Sequence, residues 1–130
     1  MSNIEVHRDT LKDIFFSLCE IEDINTAHAT FFKAGKRLAP KLGNSIDEVV
    51  DNIQRMGWGR IKVIKLKNKY KFELYDSLFL GIESDKGVCA FYSGIFAGII
   101  ERTEHKRTVV IERECVGKGD RYCSFETITP

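Results

Sequence analysis

Hydrophobic residues recur every three or four positions in the first part of the chain, and this spacing predicts amphipathic helices. One helix is predicted after the cap candidates Asp9 and Thr10. A second is predicted from Asn25, which with Thr26 is a cap candidate, to Leu42. The apolar positions of these two helices are Leu11, Ile14, Phe15, Leu18 and Cys19, followed by Ala27, Phe31, Ala34 and Leu38.

A third helix and a hairpin are predicted next. Ser45 stands three residues before Glu48, which is the spacing of a capping box, and the helix that it begins should end at Met56. The period then changes to that of strands. Residues 61–66 form a β-branched run, residues 70–74 alternate apolar and polar side chains, and a polar turn joins the two segments.

A fourth helix and a second hairpin complete the predicted fold. Residues 87–101 are apolar on most sides, as in a buried helix, and residues 107–115 and 121–128 are two strand-like runs joined by a turn. A four-stranded antiparallel sheet with helices on one face, an α+β fold, would bury these surfaces. The fourth helix carries a seam of small residues that serves either internal packing or a dimer contact: Ala90, Gly94, Ala97 and Gly98.

The composition indicates one soluble globular domain over residues 1–130, with 43% hydrophobic and 30% charged residues. A net charge of +1 gives no global field that would select nucleic acid or an anionic membrane. The sequence opens without a secretory leader, and its longest nearly uncharged apolar run, residues 87–100, is too short for a bilayer. We therefore expect a cytoplasmic protein that does not enter the membrane.

The first hairpin is rich in lysine, and this allows two interpretations. The lysines could form a basic strip for single-stranded nucleic acid, with Tyr70 and Phe72 as stacking groups. They could instead protect a sheet edge from pairing with other chains. The near-zero net charge favours edge protection. The residues are Lys62, Lys65, Lys67, Lys69 and Lys71.

The cysteines carry the candidate chemistry, since in a reducing compartment thiols and metal ligands are expected before disulfides. Cys89 stands where the fourth helix should begin, where the helix dipole would favour its thiolate. Cys115 and Cys123 flank the turn of the last hairpin, so three chain segments could meet at one point. Zinc suits such a group of ligands. Cys19 is expected to be a buried apolar residue.

The fourth metal ligand is not determined by the pattern. His105, Glu112, Glu114 and Asp120 are all within reach by sequence. Glu112 and Cys115 would point to opposite faces of a regular strand, so ligation by Glu112 requires a bulge or twist between them. The alternative to a metal site is a disulfide between Cys115 and Cys123, or buried thiols.

The spacing of these residues resembles that of a known family. Cys89, the segment Glu112-Arg113-Glu114-Cys115, Gly117 and the segment Cys123-Ser124-Phe125 are similar to the zinc-binding half of the 4-vinyl reductase domain family. The intervals are 22 residues from Cys to Glu, two to the next Cys and seven to the last. The resemblance is sharp over residues 87–128 and looser over residues 32–59.

The resemblance implies a structural zinc ion held by Cys89, Glu112, Cys115 and Cys123, joining the start of the helix to the last hairpin. Three thiolates and one carboxylate would leave no position for a substrate water, so a catalytic zinc is disfavoured. The family includes sensory domains of aromatic-responsive transcription activators. It also resembles ligand-binding domains of nitric-oxide signalling proteins and small TRAPP subunits, a fold that often forms dimers.

The expected function is a zinc-stabilised domain that binds or senses a small hydrophobic or aromatic molecule, forms a homodimer and acts through a partner protein. A pocket of aromatic residues or an ordinary core would use the same side chains, and the pocket candidates are Trp58, Phe72, Tyr75, Phe91 and Tyr92. The alternatives are a subunit or carrier in tetrapyrrole vinyl reduction and a TRAPP-like scaffold. No cofactor-binding fingerprint and no catalytic residue are identified.

Overall fold

The computed structural model describes residues 10, 13, 14, 17, 24–77, 89–115 and 120–128, with the side chains of residues 24 and 25 left aside. These residues form three helices and four strands, an α+β fold. The elements are α1 (Ile24–Leu42), α2 (Ile46–Arg55), β1 (Arg60–Lys65), β2 (Tyr70–Tyr75), α3 (Ala90–Glu104), β3 (Val109–Glu114) and β4 (Cys123–Ile128).

Most of the first predicted helix lies outside the described residues, and so does Cys19. The four residues described there, Thr10, Asp13, Ile14 and Ser17, are helical and exposed.

The four strands form one antiparallel sheet in the order β1-β2-β4-β3, which confirms the predicted pair of hairpins. The second hairpin lies beside the first because β2 pairs with β4, with Phe72 opposite Phe125. Strand β1 is therefore an edge strand, and its exposed Lys62 and Lys65 fit the role of protecting that edge.

The capping box of α2 is present as predicted, with one difference in its second bond. The Ser45 hydroxyl accepts a hydrogen bond from the Glu48 N–H at 3.2 Å. The Glu48 carboxylate reaches one residue further back and accepts from the Asn44 N–H at 2.8 Å. The helix ends at Arg55, and Gly57 follows with φ +74°. Both ends of α2 are thus encoded locally.

Helix α1 differs from its prediction in two respects. It begins at Ile24, so Asn25 and Thr26 lie in its first turn rather than at the cap. Ala34 is exposed, although the predicted apolar stripe included it. The buried side of the helix instead passes through Ala27, Phe31, Gly35, Ala39 and Leu42.

Helices α1 and α3 touch through their backbones. A Cβ atom at Gly94 would lie 2.0 Å from the carbonyl oxygen of Phe32, and one at Gly35 would lie 2.0 Å from that of Phe91. A Cβ at Gly98 would also meet α1, at 2.8 Å from the nearest side-chain atom. Glycine allows this close approach because it has no side chain. Internal packing therefore accounts for the glycines of the small-residue seam.

Helix α3 lies between α1 and the sheet. The ring of Phe96 stacks on Phe72 with centroids 4.1 Å apart and meets Phe125 edge-on at 5.3 Å. All three side chains are fully buried, so they join the helix to the two central strands of the sheet. Among the described helices, none is long and apolar enough to cross a membrane.

Replacing Gly94 by alanine should lower the free energy of unfolding by about 3 kcal/mol or more, because the added methyl group would overlap the Phe32 carbonyl unless the helices separate. Urea denaturation measures the change. The control is Thr103→Ala, which introduces alanine at an exposed position of the same helix and should change the free energy by less than about 0.5 kcal/mol. Equal effects of the two substitutions would contradict this account of the contact.

Candidate metal centre

Cys123 and Glu112 lie on the face of the sheet that packs against α3. Residues paired across antiparallel strands project to the same side. Cys123 is paired with the buried Leu74, and Glu112 is paired with Phe125, which contacts α3. Both side chains are therefore directed toward the helix by the strand register.

A β-bulge brings Cys115 to the same face. Glu112 pairs with Phe125, but Glu114 pairs with Ser124, the next residue along β4, so β3 carries one extra residue between them. Glu114 consequently lies on the outer face, where the Ser124 hydroxyl donates a hydrogen bond to it at 3.2 Å. The following residue, Cys115, returns to the inner face. The irregularity that ligation by Glu112 requires is thus present in the strand.

Cys89 meets this face from the start of α3. It occupies the N-cap position, and its thiol makes no capping hydrogen bond. Its carbonyl oxygen accepts hydrogen bonds from the N–H groups of Tyr92 at 3.0 Å and Ser93 at 3.3 Å, which fixes the backbone in the first turn. The side chain is 3% exposed and lies within the core.

The four side chains form one compact group that could hold a metal ion. Their ligand atoms all lie within 4.8 Å of one another: Cys89, Glu112, Cys115 and Cys123. The Cys89 sulfur lies 3.4 Å from that of Cys115 and 3.8 Å from that of Cys123. Thiolates at about 2.3 Å from a tetrahedral zinc ion would be separated by about 3.8 Å, so the donor set fits this ion.

The three cysteines of the group are not joined by disulfides. A disulfide requires sulfur atoms about 2.05 Å apart, and the distances from Cys89 are well above this value. The alternative of a bond between Cys115 and Cys123 is therefore not realised in the structure.

Without a cation the group does not favour ionisation. The pKa of the Cys89 thiol is raised by hydrogen bonding to the thiols of Cys115 and Cys123, by burial, and by the negative charge of Glu112. The thiolate bias expected from the helix dipole alone is therefore outweighed by the neighbouring groups. A divalent ion would reverse this balance, because metal binding displaces thiol protons and neutralises the remaining charge.

The other candidates for the fourth ligand are placed elsewhere. His105 is exposed at the C-terminal end of α3 with φ +55°, and Glu114 lies on the outer face of the sheet. Asp120 has a different role, which the sequence did not reveal. Its carboxylate accepts from the Cys115 N–H at 2.9 Å, and its own N–H donates to the Cys115 carbonyl at 3.2 Å. This residue fixes the backbone of a candidate ligand.

The aromatic pocket candidates lie in two places. Trp58, Phe91 and Tyr92 form a buried cluster, with ring centroids 6.0 Å apart for the first pair and 5.8 Å for the second. The Tyr92 hydroxyl donates a hydrogen bond to the Trp58 carbonyl oxygen. Phe72 is buried further along the sheet beneath Phe96. Tyr75 lies on the outer face, stacked on Tyr122 at 5.2 Å. We call Trp58, Phe91 and Tyr92 the aromatic cluster.

Residues 72–129 match the model of the vinyl-4-reductase domain family, which is also written 4-vinyl reductase. The chain belongs to this family, as its identity to the longer relative described next also shows. The matched segment contains all four residues of the candidate metal group. The resemblance predicted from the cysteine and glutamate spacing is therefore confirmed.

The curated relatives are longer than this chain. An uncharacterised protein of Methanocaldococcus jannaschii is 32% identical over 95 residues, which cover 71% of this chain and 58% of that protein. The chain thus spans less than two thirds of the length of this relative.

Several solved structures share the fold. A vinyl-4-reductase family protein from Methanocaldococcus jannaschii has a TM-score of 0.68 and 23% identity, covering 77% of this chain and 68% of that chain. The phenol-responsive sensory domain of the transcription activator PoxR, solved with phenol, has a TM-score of 0.70 and 19% identity, covering 100% and 77%. A trafficking protein particle complex subunit 3 from Naegleria fowleri, covalently bound to palmitic acid, has a TM-score of 0.67 and 14% identity, covering 95% of each. The expected likeness to TRAPP and nitric-oxide-binding domains is confirmed for the fold.

Cys123→Ser should reduce the bound metal from about one ion per chain to less than about half, because it removes one of four ligands. It should also lower the free energy of unfolding by roughly 3 kcal/mol or more. Elemental analysis of protein purified without chelator measures the content, and cobalt substitution reports thiolate ligation through its charge-transfer absorption.

Two further variants test the ligand set. Glu112→Gln removes the carboxylate at nearly constant size and should weaken metal binding while retaining the thiolate absorption. Cys19→Ser is the thiol control and should leave the metal content unchanged. Equal metal in Cys123→Ser, Cys19→Ser and the parent protein would rule out this assignment.

Proposed function

We propose that this vinyl-4-reductase-family chain is a zinc-stabilised domain that binds a small hydrophobic or aromatic molecule and passes its response to a partner protein. The observation that carries the proposal is the convergence of three buried thiols and one carboxylate in a fold shared with a phenol-responsive sensory domain. The identity to that domain is low, so the ligand class is part of the proposal.

The proposed role of zinc is structural. Cys89, Cys115, Cys123 and Glu112 would occupy all four positions of a tetrahedral ion, which leaves none for a substrate or a water molecule. Bound there, zinc would supply cross-linking of the first turn of α3 to both strands of the second hairpin. It would also stabilise the ionised thiols, which are otherwise disfavoured in this buried place.

The proposed ligand site is beside the aromatic cluster. Trp58 follows α2 and precedes β1, and it contacts the first turn of α3 through Phe91 and Tyr92. The same turn begins at Cys89, so the metal group and the aromatic cluster share one short stretch of backbone. A ligand that displaced Trp58 would act on a turn whose other end is held by the metal. We propose that this connection transmits ligand binding toward the second hairpin.

The proposed assembly is a homodimer that acts through another protein. A ligand-binding domain requires a partner to convert occupancy into a response, and the fold is shared with a subunit of a larger complex. Light scattering coupled to gel filtration would measure the mass directly. A mass corresponding to one chain of 14.9 kDa would contradict the homodimer.

Phenol added to the zinc-loaded protein should raise the melting temperature by about 3 °C or more at saturation, because it binds the native state preferentially. It should also change the fluorescence of Trp58, which is the single tryptophan of the chain and is 3% exposed. Cyclohexanol tests whether the aromatic ring is required. Palmitic acid tests a longer apolar ligand.

Matched variants locate the response. Tyr92→Phe removes the hydrogen bond to the Trp58 carbonyl and should alter the fluorescence response, whereas Tyr75→Phe, on the outer face, should not. Absence of any thermal or fluorescence response to all three compounds would refute ligand binding at the aromatic cluster. Visible absorbance of a co-purifying tetrapyrrole would instead favour the carrier role in vinyl reduction.

A further inference from the structure

A shallow basic groove runs along the outer side of the contact between α1 and α3. Residues of both helices line it: Lys33, Lys36, Arg37, Pro40, Gly98, Glu101 and Arg102. We call it the α1–α3 groove. Four cations therefore face one carboxylate, in a protein whose net charge is only +1. The groove lies away from the candidate metal group, and the proposed function does not use it.

The carboxylate of the groove is already neutralised. Lys36 forms an ion pair with Glu101 at 2.8 Å, and Glu101 also accepts the N–H of Thr108 at 3.0 Å. Although burial opposes it, these two contacts lower the pKa of Glu101, which therefore stays ionised and bound to Lys36. The remaining cations of the groove, Lys33, Arg37 and Arg102, are left with excess positive charge.

These remaining cations have no acidic partner in the part of the chain that the structure describes. Lys33 and Arg37 are exposed, stand four residues apart on α1 and form no ion pair with a described carboxylate. Like charges at this spacing destabilise a helix, and Lys41 continues the row by one more turn. Arg102 approaches from α3 and donates one hydrogen bond, to the Asn44 side chain at 2.9 Å. Its other donors remain available to a ligand.

The structure of this groove favours an anion with several phosphate groups. Two guanidinium groups can each donate two parallel hydrogen bonds to phosphate oxygens, and Lys33 adds a mobile point charge. The floor at Gly98 has no side chain to hold the ligand away from the helices. The apolar side of α1 is buried against α3, so the helix cannot insert this face into a lipid layer. A ligand must therefore come to the charged side.

We propose that the α1–α3 groove binds a phosphate-bearing anion through Arg37, Arg102 and Lys33. The second basic surface of the chain, at the turn of the first hairpin, provides a matched comparison. It carries Lys65, Lys67 and Lys106, but it also contains Glu104 and faces the negative end of the α3 dipole. We expect weaker anion binding there.

The test is calorimetric titration of the metal-loaded protein with sodium tripolyphosphate, with the metal content measured before and after. The parent should bind more tightly than it binds citrate, and the affinity should fall as salt is added. K33Q/R37Q/R102Q should raise the dissociation constant about tenfold or more. K65Q/K67Q/K106Q removes the same charge from the hairpin surface and should change it much less. The single variant Arg37→Gln, at an exposed position, should show a smaller loss in the same direction.

The source of the phosphates is resolved by a second arm. Vesicles of phosphatidylcholine with a phosphoinositide should be bound, and tripolyphosphate should compete, if the natural source is a lipid headgroup. Binding of tripolyphosphate without vesicle binding assigns a free phosphorylated ligand. Equal losses in the two triple variants would overturn the proposal. So would an oligonucleotide that binds where tripolyphosphate does not, because the groove would then recognise nucleic acid.

Discussion

The C-terminal half of this protein depends on one electrostatic constraint, the placement of three buried thiols and one carboxylate within 4.8 Å of one another. Ionised, these groups repel one another; protonated, they hold the surrounding segments together only weakly. A divalent cation converts the repulsion into attraction. The same four side chains come from the start of α3 and from both strands of the second hairpin, so this balance of charge also determines how a helix and a hairpin are joined.

Helix α3 is the element on which the other contacts converge. It touches α1 through glycine backbone, it contacts the sheet through Phe96, and its first turn carries both Cys89 and the aromatic cluster. Each contact restricts a different movement of the helix. A change at one end of α3 therefore reaches the metal group through a rigid element rather than through a flexible chain, and this favours a sensing role for the fold.

Much of the fold follows from local patterns in the sequence. The alternation in residues 70–74 and the box formed by Ser45 and Glu48 are each determined within a few residues, and both elements are found where predicted. The stripe of α1 was partly misplaced because its partner is a backbone surface. At Gly35 the absence of a side chain makes the contact, and a count of apolar side chains cannot register that.

The candidate site shows the same division between local and tertiary information. The three cysteines were recognisable by position, but the choice among four possible fourth ligands depended on strand register, which is set by pairing with β4. The spacing shared with a known family supplied the choice that the residues alone left open. Asp120 was recognised only as a potential ligand, because its bonds to Cys115 form after the loop has closed.

The bulge in β3 has a consequence for how this strand can vary. Before it, even-numbered positions such as Val110 and Glu112 face the helix; after it, the inward position is the odd-numbered Cys115. Loss of the extra residue would restore simple alternation and turn either the carboxylate or the thiol toward solvent. Insertions and deletions should therefore be rarer in this strand than in a loop of equal length, even where individual side chains are freely exchanged.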